Sequence, residues 1–174
     1  KVYLTKIFQT DRHFEIKYSA SMAGVQRSTK RLIKQLNRPF KARIGGDLFL
    51  TTSVYNSVEY VHLRRYASDD DGIFYSTRKG ISFDVATWLL FSNVISQIHE
   101  AVRNCEEAIE TNFDIFIGNS IYVNLSSEKP YVDIRKYFLP KGTNDEAPTK
   151  IGVSMSFSQW HQLLSQLPHL HSLK

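Results

Sequence analysis

The chain contains two copies of one sequence unit, and this internal repeat constrains the fold more than any other feature. Four blocks recur in the same order: 44–50 with 117–123, 60–66 with 131–137, 80–83 with 152–155, and Trp88 with Trp160. Two copies are too few for a solenoid, but a pair of units can pack as the subunits of a homodimer do. We therefore predict three segments, an N-terminal extension over 1–38, copy one over 39–110 and copy two over 111–174.

Each copy shows the pattern of four strands followed by one helix. Alternating and β-rich stretches predict strands over 40–45, 47–55, 58–67 and 73–83, and again over 113–118, 120–126, 130–138 and 149–155. The predicted fold class is α+β, with two tandem units of four-stranded antiparallel sheet plus helix. We expect the units to pack as an intrachain pseudo-dimer that carries a basic N-terminal extension.

The predicted helices have recognisable starts. Asp84 is suited to cap a helix over 85–108, because its side chain can accept from the first free amides. In copy two, Ser156 with Gln159 three residues later forms a capping-box pattern. We expect this second helix to end or kink near Pro168, which lacks a backbone N–H.

The strand alternation predicts an aliphatic inner face and an aromatic and basic outer face. In the third strand Tyr60, Arg64 and Tyr66 point outward, and copy two repeats the pattern with Tyr131, Arg135 and Tyr137. In the second strands, Phe49 and Tyr122 point outward. Aromatic rings stack on unpaired bases while basic side chains contact phosphates, so this face suits single-stranded nucleic acid. The alternative is that aromatic residues, which favour strands, only shield a solvated sheet.

Charge is concentrated in the first segment. Residues 1–38 carry nine basic and two acidic residues, whereas the remaining 136 residues carry 13 basic and 15 acidic ones. Such asymmetry favours a polyanionic partner, although a solvated basic face that aids solubility is the alternative. Residues 25–36 have the pattern of a basic helix, which could lie along phosphates, bind a partner protein or cover a sheet edge.

The repeated blocks contain motifs of a known family. The motifs are Ile44-Gly45-Gly46, Leu63-Arg64-Arg65-Tyr66 and Arg78-Lys79-Gly80-Ile81-Ser82 before Trp88, and Ile117-Gly118-Asn119, Ile134-Arg135-Lys136-Tyr137 and Lys150-Ile151-Gly152-Val153-Ser154 before Trp160. In this order they resemble the single-stranded-DNA-binding domain of the transcriptional coactivator family called positive cofactor four. The resemblance covers all but the N-terminal extension. It implies a chain that holds both halves of a domain that is dimeric in the family.

The resemblance also implies roles for individual residues. Arg64 and Arg135 match the family's phosphate-binding arginine, and the basic pair falls on Arg78 and Lys79 but only on Lys150 in copy two. Stacking aromatics fall on Tyr55 and Phe138, and one family lysine survives as Lys129. Other family lysines are lost, which predicts unequal binding by the two halves. The predicted nucleic-acid-binding residues are Arg64, Arg78, Lys79, Arg135, Lys150, Lys129, Phe49, Tyr55, Tyr60, Tyr66, Tyr122, Tyr131, Tyr137 and Phe138.

The predicted function is weakly sequence-selective binding of single-stranded DNA in transcription, replication or repair. RNA binding by the same sheets is one alternative, and a structural or assembly role on the retained scaffold is the other. Transcription or replication proteins are possible partners, further oligomerisation is open, and the family implies a nuclear location or a viral protein acting in an infected cell.

The sequence gives little support for an enzyme, a metal-binding protein or a membrane protein. We find no catalytic motif or phosphate loop, and we expect no enzyme, cofactor or metal. Asp69-Asp70-Asp71-Gly72 is typical of a turn, and one cysteine, Cys105, rules out a cysteine-based zinc cluster or an intrachain disulfide. The apolar runs are too short for a membrane span.

Overall fold

The computed structural model describes residues 39–172, and the extension with its predicted basic helix lies outside them. The elements of copy one are β1 (Lys41–Gly45), β2 (Leu48–Tyr55), β3 (Val58–Ser68), β4 (Phe74–Asp84) and α1 (Val85–Glu106). Those of copy two are β5 (Asn112–Phe116), β6 (Ile121–Ser126), β7 (Lys129–Phe138), β8 (Ala147–Ser156) and α2 (Phe157–Ser172). This order confirms the predicted two tandem units of four strands plus a helix.

Each copy forms one antiparallel sheet in chain order, β1-β2-β3-β4 and β5-β6-β7-β8. Tight turns explain the short connections. Asn56 and Ser57, with φ of 49° and 61°, join β2 to β3, and Asn119 and Ser120, with φ of 51° and 59°, precede β6. Two consecutive positive φ angles match the natural twist of paired strands, and asparagine tolerates them better than most residues.

Both predicted helix starts are confirmed, whereas the second helix does not end near Pro168, and the predicted alternative of a kink there stays a prediction. Asp84 Oδ1 accepts from the Thr87 amide at 2.7 Å. The Ser156 amide donates to Gln159 Oε1 at 3.1 Å, and the Gln159 amide donates to Ser156 Oγ at 3.3 Å. Helix α2 continues through Pro168 to Ser172. Burial of Leu170 offsets the hydrogen bond that the proline removes.

The two units share one core and pack on each other as the predicted pseudo-dimer. Trp88 and Trp160 are both fully buried, and the ring of Phe91 meets Trp160 edge-on at 6.3 Å. The side chain of Gln159 donates to the Gly45 carbonyl at 2.9 Å, which ties α2 to β1 of the other copy. The shared core leaves the outer face of each sheet open. The segment boundaries at 38 and 110 stay a prediction.

Within residues 39–172, no helix is long and apolar enough to cross a membrane.

Candidate nucleic-acid interface

A shallow groove lies on the outer face of each sheet. The first groove, of about 420 Å³, is lined by residues that include Lys41, Thr51, His62, Arg64 and Tyr66. The second groove, of about 290 Å³, is lined by residues that include Asp114, Asn124, Lys129, Asp133 and Tyr137. Both lie over the first three strands of their sheets, where the predicted aromatic and basic residues alternate.

Strand register shows which residues of the two grooves are equivalent. In sheet one, Thr51 pairs with Lys41 on one side and with His62 on the other. In sheet two, Asn124 pairs in the same way with Asp114 and Asp133. Lys41 therefore corresponds to Asp114, and His62 to Asp133, so both flanking positions are acidic only in copy two.

Arg64 lies in the first groove without a carboxylate partner among residues 39–172. Its Nη2 donates to Ser82 Oγ at 3.0 Å, and its buried Nε has no hydrogen-bond partner in this part of the chain. Ser82 Oγ also lies 2.7 Å from His62 Nδ1, whose Nε2 lies 2.7 Å from Ser53 Oγ. This chain of neutral groups orients the guanidinium and leaves its positive charge uncompensated.

His62 is neutral in this environment. Burial, and secondarily the positive charge of Arg64, lower the pKa of His62 from 6.5 to about 4. At neutral pH, Lys41 and Arg64 therefore supply the charge of the first groove.

Arg135, which occupies the position of Arg64 in the second sheet, has the opposite environment. Its Nε and Nη2 both donate to Asp133 at 2.8 Å, and its Nη1 donates to the Thr149 carbonyl at 3.0 Å. The hydrogen bond to Asp133 is the leading cause of a raised Arg135 pKa. The two-point ion pair compensates the charge that the sequence pattern assigned to phosphate binding.

Gly80 and Gly152, which pair with Arg64 and Arg135 from the neighbouring strands, have a packing role. A Cβ added at Gly80, where φ is +143°, would lie 2.3 Å from the Leu63 carbonyl and 2.7 Å from the Arg64 Cα. At Gly152 the equivalent distances, to the Ile134 carbonyl and the Arg135 Cα, are 2.7 and 3.0 Å. Each arginine strand thus lies directly against a glycine of the neighbouring strand.

The aromatic residues of the first groove are less open than the sequence predicts. Phe49 lies on the outer face but is only 7% exposed, because Tyr66 and Phe74 pack on it with ring centroids 4.5 and 5.5 Å away. The Lys41 ammonium lies 4.3 Å from the centroid of Tyr66 and 5.1 Å from that of Phe49. The expectation that Phe49 offers an open stacking surface is therefore wrong, since the strand pattern fixes a face and not its coverage.

The equivalent rings of the second sheet are Tyr122 and Tyr137, with centroids 4.9 Å apart, and Tyr137 lines the second groove. The Tyr122 hydroxyl donates to Glu146 at 2.5 Å, and this bond, with smaller contributions from burial and nearby charge, raises the pKa of Tyr122 to about 12. Burial, with the charges of Asp114 and Asp133, raises the pKa of Tyr137.

The remaining predicted residues lie around the grooves. Tyr55 is 68% exposed at the end of β2 and Phe138 is 50% exposed at the end of β7, whereas Tyr60 is half-buried and stacks on His62 at 6.1 Å. The other predicted residues are exposed, namely Arg78 and Lys79 on β4, Lys129 and Tyr131 on β7, and Lys150 on β8.

A family model described as Transcriptional Coactivator p15 (PC4) matches the chain twice, over residues 42–93 and 117–166. The two matches cover more than half of the chain. The chain belongs to this family. Searches of curated proteins and of solved structures found no significant match. The double match confirms the resemblance and the two tandem copies, and it places the chain among nucleic-acid-binding coactivators, not in an enzyme family.

The predicted site residues did not include four residues that determine the charge of the two grooves, namely Lys41, His62, Asp114 and Asp133. His62 and Asp133 occupy the same place in the repeated block, so their difference was visible in the aligned copies. Lys41 and Asp114 lie outside the repeated blocks, and only the strand register relates them.

The acidic turn Asp69-Asp70-Asp71-Gly72 is stabilised by hydrogen bonds to the first of its carboxylates. Asp69 Oδ1 accepts from the amides of Asp71 at 3.1 Å and Ile73 at 2.8 Å. Over the part of the chain that the structure describes, no group of three or more histidine, cysteine or acidic residues could hold a metal ion.

Proposed function

We propose that the protein is a single-stranded-DNA-binding member of the coactivator family that acts on unpaired DNA in the nucleus. The first groove is its principal phosphate site. The observation that carries this proposal is Arg64, which is oriented by Ser82 and has no carboxylate partner among residues 39–172. Arg135, at the equivalent position, already has its charge compensated by Asp133.

Residues around the first groove extend this site. Arg78 and Lys79 are exposed on β4 next to the Arg64 strand, and Tyr55 is exposed at the far end of β2. Basic side chains that follow the backbone together with an exposed ring form the usual combination for a flexible single strand. Because phosphates dominate such contacts, we expect binding to weaken with salt and to depend little on base sequence.

The matched variants Arg64→Ala and Arg135→Ala test the proposal. With a labelled ~20-nucleotide single strand in a fluorescence anisotropy titration, Arg64→Ala should weaken binding about tenfold or more, whereas Arg135→Ala should change it less than about threefold. Circular dichroism and thermal melting check that both variants fold, because Arg135→Ala leaves the half-buried Asp133 without its partner.

Equal losses from the two folded variants would contradict the assignment to the first groove. Unchanged binding by Arg64→Ala would remove the arginine from the DNA site altogether. Competition with RNA of the same sequence separates DNA from RNA binding, since only a site that senses the 2′-hydroxyl distinguishes them.

A further inference from the structure

The second groove presents a pair of aromatic rings over which no cationic side chain of residues 39–172 lies. In copy one, the aromatic pair Phe49 and Tyr66 is covered by the ammonium group of Lys41. In copy two, Tyr122 and Tyr137 form the equivalent pair, and the position of that lysine is occupied by Asp114. Copy two therefore has an aromatic pair at the equivalent place and a carboxylate where copy one has the ammonium.

Asp114 is the carboxylate that remains available to a ligand. Its carboxylate forms no hydrogen bond or ion pair with residues 39–172, and burial raises its pKa. Asp133, by contrast, is fully engaged by Arg135 and by Ser154, whose Oγ donates to it at 2.5 Å. Lys129 also lines the second groove, but no ion pair joins it to Asp114.

The carboxylate and the aromatic pair lie close together. Asp114 and Tyr137 line the same groove, and Asp114 pairs across the sheet with Asn124, which follows Tyr122 by two residues on β6 and donates to the Tyr137 hydroxyl at 3.3 Å. Glu146, bonded to the Tyr122 hydroxyl, adds a second negative charge beside the rings. An ammonium above these rings would gain from the ring faces and from an adjacent carboxylate at once.

We infer that the second groove binds a lysine side chain from a basic segment of a partner protein, with the ammonium over Tyr122 and Tyr137 and beside Asp114. The ligand class follows from the lysine that occupies the equivalent place in copy one. The carboxylates of Asp114 and Glu146 beside the rings favour a cationic group there and disfavour a phosphate. This inference does not rest on the proposed DNA site, which lies on the other sheet.

The test uses the full chain and a labelled twelve-residue peptide in which lysine alternates with serine, together with the same peptide carrying acetylated lysines. Anisotropy at low salt should show binding of the lysine peptide and binding about tenfold weaker for the acetylated one, because acetylation removes the charge. Asp114→Lys should weaken binding of the lysine peptide about tenfold, since its new ammonium would cover the rings as Lys41 does.

The control variant is Glu110→Lys, which makes the same change of charge at an exposed position before β5. It should leave the dissociation constant within about twofold, because surface charges at a distance are screened. Asp114→Asn is a milder second variant, which should fold even if Asp114→Lys does not, and it should weaken binding about threefold.

Two results would overturn the inference. The first is failure of the full chain to bind the lysine peptide at low salt. The second is equal weakening by Asp114→Lys and Glu110→Lys, which would show that net charge and not the groove governs binding. Binding of single-stranded DNA is measured on the same preparations. Because the proposed DNA site lies on the other sheet, loss of peptide binding does not imply loss of DNA binding.

Discussion

The two halves of the molecule share a backbone and differ in the electrostatics of their outer faces. The same strands, the same helix start and the same buried tryptophan occur in each half. On the outer face, however, Lys41 and His62 of the first half are replaced by Asp114 and Asp133 in the second. With these two differences, Arg64 of the first half has no carboxylate partner among residues 39–172, whereas Arg135 of the second half is compensated by Asp133 and the carboxylate of Asp114 remains.

This difference teaches that a retained motif does not imply a retained role. Arg64 and Arg135 lie at equivalent positions, and each is oriented by the serine two residues after the motif glycine. The motif therefore guarantees the position of the guanidinium. The residue two positions earlier, His62 or Asp133, decides whether its charge is available to a ligand.

The largest expected effect is on stability. It comes from replacing the two glycines that pack against the strands of Arg64 and Arg135. Gly80→Ala should lower the free energy of unfolding by ~3–5 kcal/mol, because its Cβ would overlap Leu63 O in a strained backbone conformation. Gly152→Ala should lower it by ~1–3 kcal/mol, since its contacts are longer. Urea unfolding monitored by circular dichroism measures both.

Gly142→Ala serves as the control for that comparison. Its φ is +83° but nothing lies within 4 Å of an added Cβ, so only backbone strain remains, at about 1 kcal/mol. An effect of Gly80→Ala no larger than that of Gly142→Ala would show that β3 and β4 separate easily.

The next largest expected effect is on DNA binding, and it comes from a variant that gives Arg64 the carboxylate partner that Arg135 has. His62→Asp should let a carboxylate pair with Arg64 as Asp133 pairs with Arg135, and binding of a ~20-nucleotide single strand should weaken about tenfold. The reciprocal variant Asp133→His is the control, and it should not weaken binding because it removes a negative charge from the second groove. Anisotropy titrations at constant salt compare the two, and unchanged binding by His62→Asp would mean that compensation of Arg64 does not matter.

Much of the architecture was predictable from the sequence because it depends on local signals. Alternation identified every described strand, and the Asp84 cap and the capping box marked both helix starts. The face of Phe49 was also predictable, but its burial was not, because that depends on Phe74 from a strand two positions away in the sheet. The partners of Arg64 and Arg135 come from cross-strand register, which a residue pattern does not specify.

The smallest expected effect is on the pH dependence of stability. It arises in the first half alone, because His62 has no histidine counterpart in the second half. The pKa of His62 is about 4 in the folded protein and 6.5 as a model value, so the unfolded chain binds the proton first. The stability that neutral His62 contributes is complete above pH 6.5 and is lost as the pH falls towards 4. Between pH 7.5 and 5, the protein should therefore lose about 1 kcal/mol more than His62→Gln, after allowance for screening at this half-exposed site. Urea unfolding at both pH values checks this, and equal losses would mean that His62 is already solvated and does not hold Arg64 through Ser82.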